Sequence, residues 1–256
     1  MILCIDAGNT RLKWGVSNIE ASGWLAQGAL DYADLDQLPA RLPAALPAVP
    51  WRIVACNVAG TEIGGCIERM AANMGSPLHW LKSSAAACGV TNGYAQPTQL
   101  GADRWAALIG AHALGFAPAV VVMAGTATTI DLLEADGHFR GGLILPGLDL
   151  MRASLARDTA NLPRVSASAD GYSFAPTTTD DAIASGSLHA TLGAIERMRD
   201  GLSAGRSVSL GDAVRVVLSG GAANVLRPHL APPPQPVENL VLEGLREFAL
   251  TIEPTA

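Results

Sequence analysis

The feature that most constrains how this chain can fold is a strand, tight turn and returning strand that occurs twice. From Ile2 to Ala7 an apolar run closes on the turn formers Asp6, Gly8 and Asn9, and Leu12, Trp14 and Val16 then alternate with polar or small residues. The stretch VVVMAGTATTIDLLE repeats the pattern, with Gly125 standing where Gly8 stands in the first half. A third strand follows each pair, at Trp24 to Leu30 and at HFRGGLIL beyond the turn of Ala135 to Gly137. This is a single duplication and not a short-period solenoid. Strands alternate with helical segments throughout, so the expected architecture is α/β in two related units, residues 1–115 and residues 116–256.

Between these anchors, periodicity predicts a proline-punctuated helical region to about Leu46, a strand from Trp51, a helix over Thr61 to Met74 and a short strand from Leu78. After a loop rich in Gly, Asn and Pro (Gly89 to Gly101), ADRWAALIGAHAL has helical spacing and an acidic residue in its first turn, where it suits the helix dipole. In the second half, helices are expected over Asp149 to Arg157, Asp180 to Arg199, Ala222 to Leu226 and Glu238 to Leu250, with a strand from Val214. The loop NLPRVSASADGYSFAPTT is long enough to be functional. PHLAPPPQP reads as a stiff polyproline spacer before the last helix.

The 256 residues are 49% hydrophobic and 16% charged, a balance that excludes a disordered chain. A net charge of -6 leaves no electrostatic footprint for nucleic acid or an anionic membrane, so a small-molecule partner is expected. The longest apolar stretch, Phe116 to Ile130, is broken by Pro118 and Gly125 and falls short of the roughly 20 residues of a spanning helix. MILCIDAGNTRLKW lacks the basic start of a secretory signal. Cys4, Cys56, Cys66 and Cys88 form no CxxC pair and lie on apolar segments, the pattern of buried free thiols in a reducing compartment. A cytoplasmic protein with neither membrane nor nucleic-acid partners is the expectation.

Several familiar motifs fail. No two glycines stand two apart, so the GxGxxG dinucleotide fingerprint is absent. The only lysines, Lys13 and Lys82, lie outside any GxxxxGK[ST]. GLSAG, from Gly201 to Gly205, matches GxSxG but follows a helix instead of a strand, so it is a chance match. His79, His112, His138, His189 and His229 show no metal-ligand spacing.

Four segments carry chemistry. In IDAGNTRLKWG, a glycine turn lets backbone amides approach a phosphate, Thr10 adds a hydroxyl, Asp6 can hold a magnesium water shell and Lys13 supplies positive charge. An ordinary hairpin with Asx-turn residues would read the same way. AGTATTID places Thr126, Thr128 and Thr129 around one glycine, although threonine also simply favours strands. Two such hairpins facing each other would clasp a nucleotide tail. In QLGADRWAALIGA, Asp103 could take a proton from an attacking hydroxyl and Arg104 could bind a carboxylate in bidentate fashion, or the pair could be a helix cap and a surface charge. Gly220 and Gly221, after the strand VRVV, offer a flat backbone surface for a base or merely tight helix packing.

Taken in order, IDAGNTRLKWG, LGADRWAALIGA, AGTATTID with FRGGLILPG, TTTDDAIASG and VLSGGAANVL closely resemble type III pantothenate kinase, also known as the Bvg accessory factor family. The resemblance spans nearly the whole chain. It implies duplicated ribonuclease-H-like domains of the acetate and sugar kinase, Hsc70 and actin superfamily, a homodimer, and phosphorylation of pantothenate by ATP with Mg2+. It also implies that Asp6, Ala7, Gly8, Asn9, Thr10, Arg11, Leu12 and Lys13 form the first phosphate loop, with Asp6 near magnesium, and that Thr126, Gly220 and Gly221 complete the ATP site. Gly101, Ala102, Asp103 and Arg104 resemble the pantothenate-binding segment, with Asp103 as the general base. Tyr94 and Thr179 match substrate contacts, Thr179 across the dimer interface. Family members commonly carry an aspartate two residues before the second glycine, where it helps hold K+ or NH4+. This chain has Met123 there, and a thioether is a poor ligand for a hard cation, so altered dependence on a monovalent cation is expected. The competing reading is a catalytically silent nucleotide-binding regulator of the same fold. A sugar or acetate kinase is disfavoured, because Arg104 suits an acceptor that bears a carboxylate.

Overall fold

All six residues of β1 (Ile2–Ala7) are buried, as befits a central strand covered on both faces. In the computed structural model, which describes residues 1–18, 23–42, 52–165, 172–204 and 214–253, β1 pairs antiparallel with β2 (Leu12–Ser17), and β2 with β3 (Trp24–Leu30). On its other edge β1 runs parallel to β4 (Arg52–Asn57), and β4 parallel to β5 (Leu78–Trp80). The order is therefore β3-β2-β1-β4-β5. A small antiparallel pair, β6 (Ala86–Ala87) and β7 (Val90–Asn92), and a 3-10 turn at Pro97–Gln99 occupy much of the stretch expected as loop.

The second unit rebuilds the same plan. Its strands β8 (Ala119–Ala124), β9 (Ala127–Leu133) and β10 (His138–Pro146) are antiparallel neighbours. β11 (Arg215–Ser219) runs parallel to β8, and β12 (Gln235–Pro236) parallel to β11. The order β10-β9-β8-β11-β12 thus matches that of the first unit strand for strand and sense for sense. The duplication read from the two turns is a duplication of a five-strand arrangement, and the fold is the ribonuclease-H-like pair that the resemblance implied. β12 corrects one expectation: part of the proline-rich spacer is a strand. Pro236 is tolerated because the strand ends its row, where a missing N–H costs no ladder bond.

The helices are α1 (Leu38–Arg41), α2 (Thr61–Asn73), α3 (Ala102–Ala113), α4 (Leu148–Asp158), α5 (Thr179–Ser203), α6 (Ala223–Leu226) and α7 (Leu240–Thr251). The predicted region before Leu46 is a 3-10 turn, Tyr32–Gln37, running into α1, and its end lies outside the described residues, as do residues 166–171 of the long loop. One core joins Leu3, Ile5, Leu12 and Trp14 to Ile53, Ile67 and Met70. The other joins Val120, Val122 and Ile130 to Leu188, Leu192 and Ile195 of α5. Cys4 and Cys56 are buried as expected, but Cys66 and Cys88 are only half-buried.

The chain divides into Met1–Gly115 with Asn239–Ala256, and Phe116–Glu238. The expectation that residues 116–256 form one unit therefore fails at its end, because α7 returns to the first unit. The cause is a close helix approach. A Cβ on Gly244 would fall 1.8 Å from the Ala106 carbonyl oxygen of α3, and one on Gly110 would fall 2.6 Å from the Leu240 carbonyl oxygen. Polar ties add to it: the Trp24 indole donates to Glu243 at 2.6 Å, Arg246 to Ser17 at 3.0 Å and Arg52 to the Ala249 carbonyl at 2.6 Å.

A methyl at Gly244 must push backbone atoms apart, an overpacking cost of about 1–3 kcal/mol. Gly244→Ala is therefore expected to lower the melting temperature by roughly 2–10 °C. On α5, Gly201→Ala meets nothing within 4 Å, so it is expected to be neutral or stabilising by up to about 1 kcal/mol. Thermal unfolding of both variants beside the parent checks this; an unchanged Gly244→Ala would reject the close-approach account.

Candidate active site

β1 ends at Ala7, and the chain turns through Gly8, Asn9, Thr10 and Arg11 into β2. The register sets Asp6 opposite Lys13 of β2 and beside Cys56 of β4. Directly paired residues of neighbouring strands project to the same face, so carboxylate, amine and thiol share one side of the sheet. Asp6 is 8% exposed, and its Oδ1 accepts from the Cys56 thiol at 3.6 Å. Burial pushes the Asp6 carboxyl up to about 6; Lys13 opposes this and the charge of Asp103 adds to it. Burial, with Asp6 and Asp103 adding to it, also pushes the Cys56 thiol well up, so it stays a protonated donor.

The two turn glycines differ from the tightly packed Gly147, Gly220 and Gly244. Neither Gly8 nor Gly125 has a positive φ, and a Cβ would come no closer than 3.4 Å at Gly8 (Arg11 carbonyl) and 3.5 Å at Gly125 (Ala127 carbonyl). Neither packing nor a left-handed backbone requires them. Their main chain is thus open to close approach, the other use of glycine at a turn. Within this turn, Asn9, Thr10 and Arg11 are exposed, whereas the side chains of Ala7 and Leu12 lie in the core and leave only backbone for a ligand.

In the second unit the structure gathers Thr126, Gly220 and Gly221 around the end of β8. The Ala124 carbonyl accepts from the Ala222 N–H at 3.0 Å, and the Thr126 carbonyl from the Gly147 N–H at 2.9 Å. Gly220 does answer to the fold: its φ is +103° and a Cβ would fall 2.4 Å from the Ala124 oxygen. Gly221 meets nothing within 4 Å. The threonine trio separates, with Thr126 exposed at the turn and Thr128 and Thr129 buried on β9.

α3 begins at Ala102 with Gly101 as its N-cap, so Asp103 is not the cap. Its Oδ1 instead accepts the Arg104 N–H at 2.8 Å. A Cβ on Gly101 would lie 2.6 Å from that Oδ1, so the glycine leaves the carboxylate its room. Arg104 is 5% exposed, which removes the surface-charge reading. Its Nη1 donates to the Tyr94 hydroxyl at 2.9 Å, and its guanidinium carbon lies 5.7 Å from the centroid of that ring. Asn92 holds the loop that carries Tyr94: its Oδ1 accepts the Tyr94 N–H at 3.1 Å and its Nδ2 donates to the Ser84 and Pro97 carbonyls. Thr179, exposed, is the first residue of α5 in the second unit, behind the N-cap Thr178. Sequence reasoning missed Cys56, Asn92 and Tyr32, whose hydroxyl donates to the Gly8 carbonyl. Only strand register, which the β4 sequence does not spell out, reveals Cys56. Among the described residues no cluster of three or more metal-ligating side chains occurs. His189 and His229 instead pack against the Tyr172 ring, at 5.1 and 4.1 Å between centroids.

Residues 2–200 match the sequence profile of type III pantothenate kinase. A protein of that name from Aromatoleum aromaticum is 50% identical over 250 residues, covering 97% of this chain and 98% of the relative. Another from Dechloromonas aromatica is 47% identical over 251 residues, covering 98% and 99%. The chain belongs to the type III pantothenate kinase family. Among solved structures it superimposes on one described as a conserved Baf family transcriptional activator from Campylobacter jejuni, with a TM-score of 0.60 at 20% identity and 96% of both chains covered. It also superimposes on the ethanolamine utilization protein EutJ from Carboxydothermus hydrogenoformans, with a TM-score of 0.53 at 15% identity, covering 97% of this chain and 88% of that one. These two likenesses concern the fold alone.

Because nothing in the fold asks for glycine at position 8, Gly8→Ala in this pantothenate kinase family member is expected to keep its melting temperature or gain up to about 1 kcal/mol of stability. Its affinity for nucleotide should fall. Calorimetric titration with ATP checks the second half, and an unchanged affinity would mean that no ligand approaches this backbone.

Proposed function

We propose that the chain transfers the terminal phosphoryl group of ATP to the primary hydroxyl of pantothenate, the first step toward coenzyme A. The observation that carries the assignment of roles is the burial of Asp6 beside Lys13, within reach of the charge of Asp103, at a turn whose glycine the fold does not need. In this reading the backbone from Asp6 to Lys13 and the Thr126 turn bind the phosphates, and Gly220 and Gly221 lie under the base. Asp103 receives the proton of the attacking hydroxyl. Arg104, its plane fixed by Tyr94, pairs with the pantothenate carboxylate, and Gly101 and Ala102 line the same segment. Phosphoryl transfer asks mainly for positioning and charge neutralisation, with only one proton to remove.

Asp6 suits magnesium: it is a hard oxygen donor, and its buried charge calls for a cation beyond Lys13. When bound, the ion supplies neutralising charge to the ATP phosphates. Dependence on a monovalent cation is expected to be weak or altered, since Met123 places a thioether at the end of β8 where relatives commonly have a carboxylate. We read the protein as a cytoplasmic homodimer, with Thr179 serving the partner's site. Exposed Leu143 and Ile144 on β10 and Leu150 and Leu155 on α4 support a second copy as partner. No helix among the described residues is long and apolar enough to cross a membrane.

Asp103→Asn is expected to fold and bind ATP yet lose turnover on the order of a hundredfold or more, the scale of a lost general base. Arg104→Lys should chiefly raise KM for pantothenate, because a point charge cannot reproduce a paired hydrogen bond. Coupled ADP-release kinetics on both variants decide; full turnover in Asp103→Asn would reject its role. Titrating the parent with potassium should give a shallow response, and a steep requirement would reject the inference from Met123. No turnover with any monovalent cation would restore the silent-regulator reading.

A further inference from the structure

We propose that Tyr32 is a positioning residue of the nucleotide site, its phenol donating to the Gly8 carbonyl and so setting the orientation of the first phosphate turn. The proposal rests on the reading of Asp6 to Lys13 as that turn. Strand register brings the two together. Leu12, the first residue of β2, pairs with Leu30, the last residue of β3, so the chain just beyond β3 runs beside the turn just before β2. Tyr32 opens the 3-10 turn that follows, and that turn is anchored by buried Leu35, with Leu38 of α1 buried behind it. The tyrosine ring packs partly into the same core. The phenol is thus delivered from a fixed support, not from a free loop.

The consequence follows from peptide planarity. A trans peptide points its N–H opposite to the preceding carbonyl, so holding the Gly8 carbonyl also fixes the direction of the Asn9 N–H. The preceding carbonyl, of Ala7, is held in turn by the Val58 N–H at 2.9 Å, which fixes the Gly8 N–H. Two successive amides of the turn are therefore oriented from two different supports, one behind β4 and one behind β3. Amides aimed in advance bind an anion without the entropy cost of ordering them. The donor is a stable one. Burial and the nearby charge of Asp6 push the Tyr32 hydroxyl up to about 12, so it stays protonated wherever the enzyme would work.

Tyr32→Phe keeps the ring and its packing and removes only the donor. KM for ATP, and Kd for ADP measured by calorimetry without turnover, are expected to rise about two- to tenfold, the worth of one hydrogen bond. KM for pantothenate and the melting temperature should hold. Lys13→Met serves as the comparison. If it weakens ADP binding while Tyr32→Phe does not, the proposal is overturned and the phosphate-turn reading stands. If neither variant moves ADP binding, the phosphate-turn reading has failed and the proposal falls with it. A joint rise in both Michaelis constants with a lower melting temperature would mark Tyr32 as a packing residue only, and would also overturn it.

Discussion

A carboxylate held in the middle of a sheet organises the first unit. Asp6 lies on β1, the central strand, with an antiparallel hairpin partner on one side and a parallel strand on the other. That mixture of senses puts the turn into β2 and the end of β4 at the same end of the sheet. Anything bound there meets the Gly8 turn, Lys13 and the β4 terminus together. Asp103 is added from α3, which α7 clamps through the facing glycines Gly110 and Gly244. A helix held by backbone contact on one face has little freedom to shift, and this keeps the first-turn carboxylate of α3 in register with Asp6.

The glycines separate what the fold needs from what a ligand needs. Gly147, Gly220 and Gly244 would each drive a Cβ to within 2.4 Å or less of a backbone oxygen, so they are fixed by packing. Gly8 and Gly125 are fixed by nothing of that kind, yet they stand at equivalent turns of two five-strand arrangements with the same order. Each turn therefore has main chain that a ligand can approach without disturbing the packing of its own sheet. Such an approach uses backbone amides, which every residue but proline carries, and so does not depend on the side chains of either turn.

Much of this was legible in the sequence because it is local. The hairpins at Gly8 and Gly125, the acidic first turn of α3 and the duplication all follow from short-range patterns. Long-range packing was not legible. Nothing in the spacing of Leu240 to Leu250 says that α7 belongs to the first unit; the glycine at 244 reads as a helix weakness until its partner at 110 is seen. Nor does a run of prolines announce β12, since an edge strand tolerates a residue that an inner strand would reject. At the site, Asp6, Lys13, Asp103 and Arg104 could be picked out by type and turn position. Cys56 and Tyr32 could not, because register and the path of a 3-10 turn bring them in.

Asp6 also ties function to stability. Its carboxyl has a folded value of about 6 against an ordinary value of 3.8, so between these the folded chain binds more protons than the unfolded one. The contribution of this group to stability is whole below the lower value and is lost as pH rises through the upper one. At neutral pH the buried charge therefore costs on the order of 3 kcal/mol, at about 1.4 kcal/mol per unit. Lys13 has already lowered that cost, and the remainder is a standing preference for an additional cation at this position. A ligand that binds only the folded chain and brings positive charge recovers the loss through mass action. The same burial that destabilises the protein at neutral pH thus favours a second positive charge beside Asp6, and replacing Asp6 by an apolar residue would trade that preference for a more stable sheet.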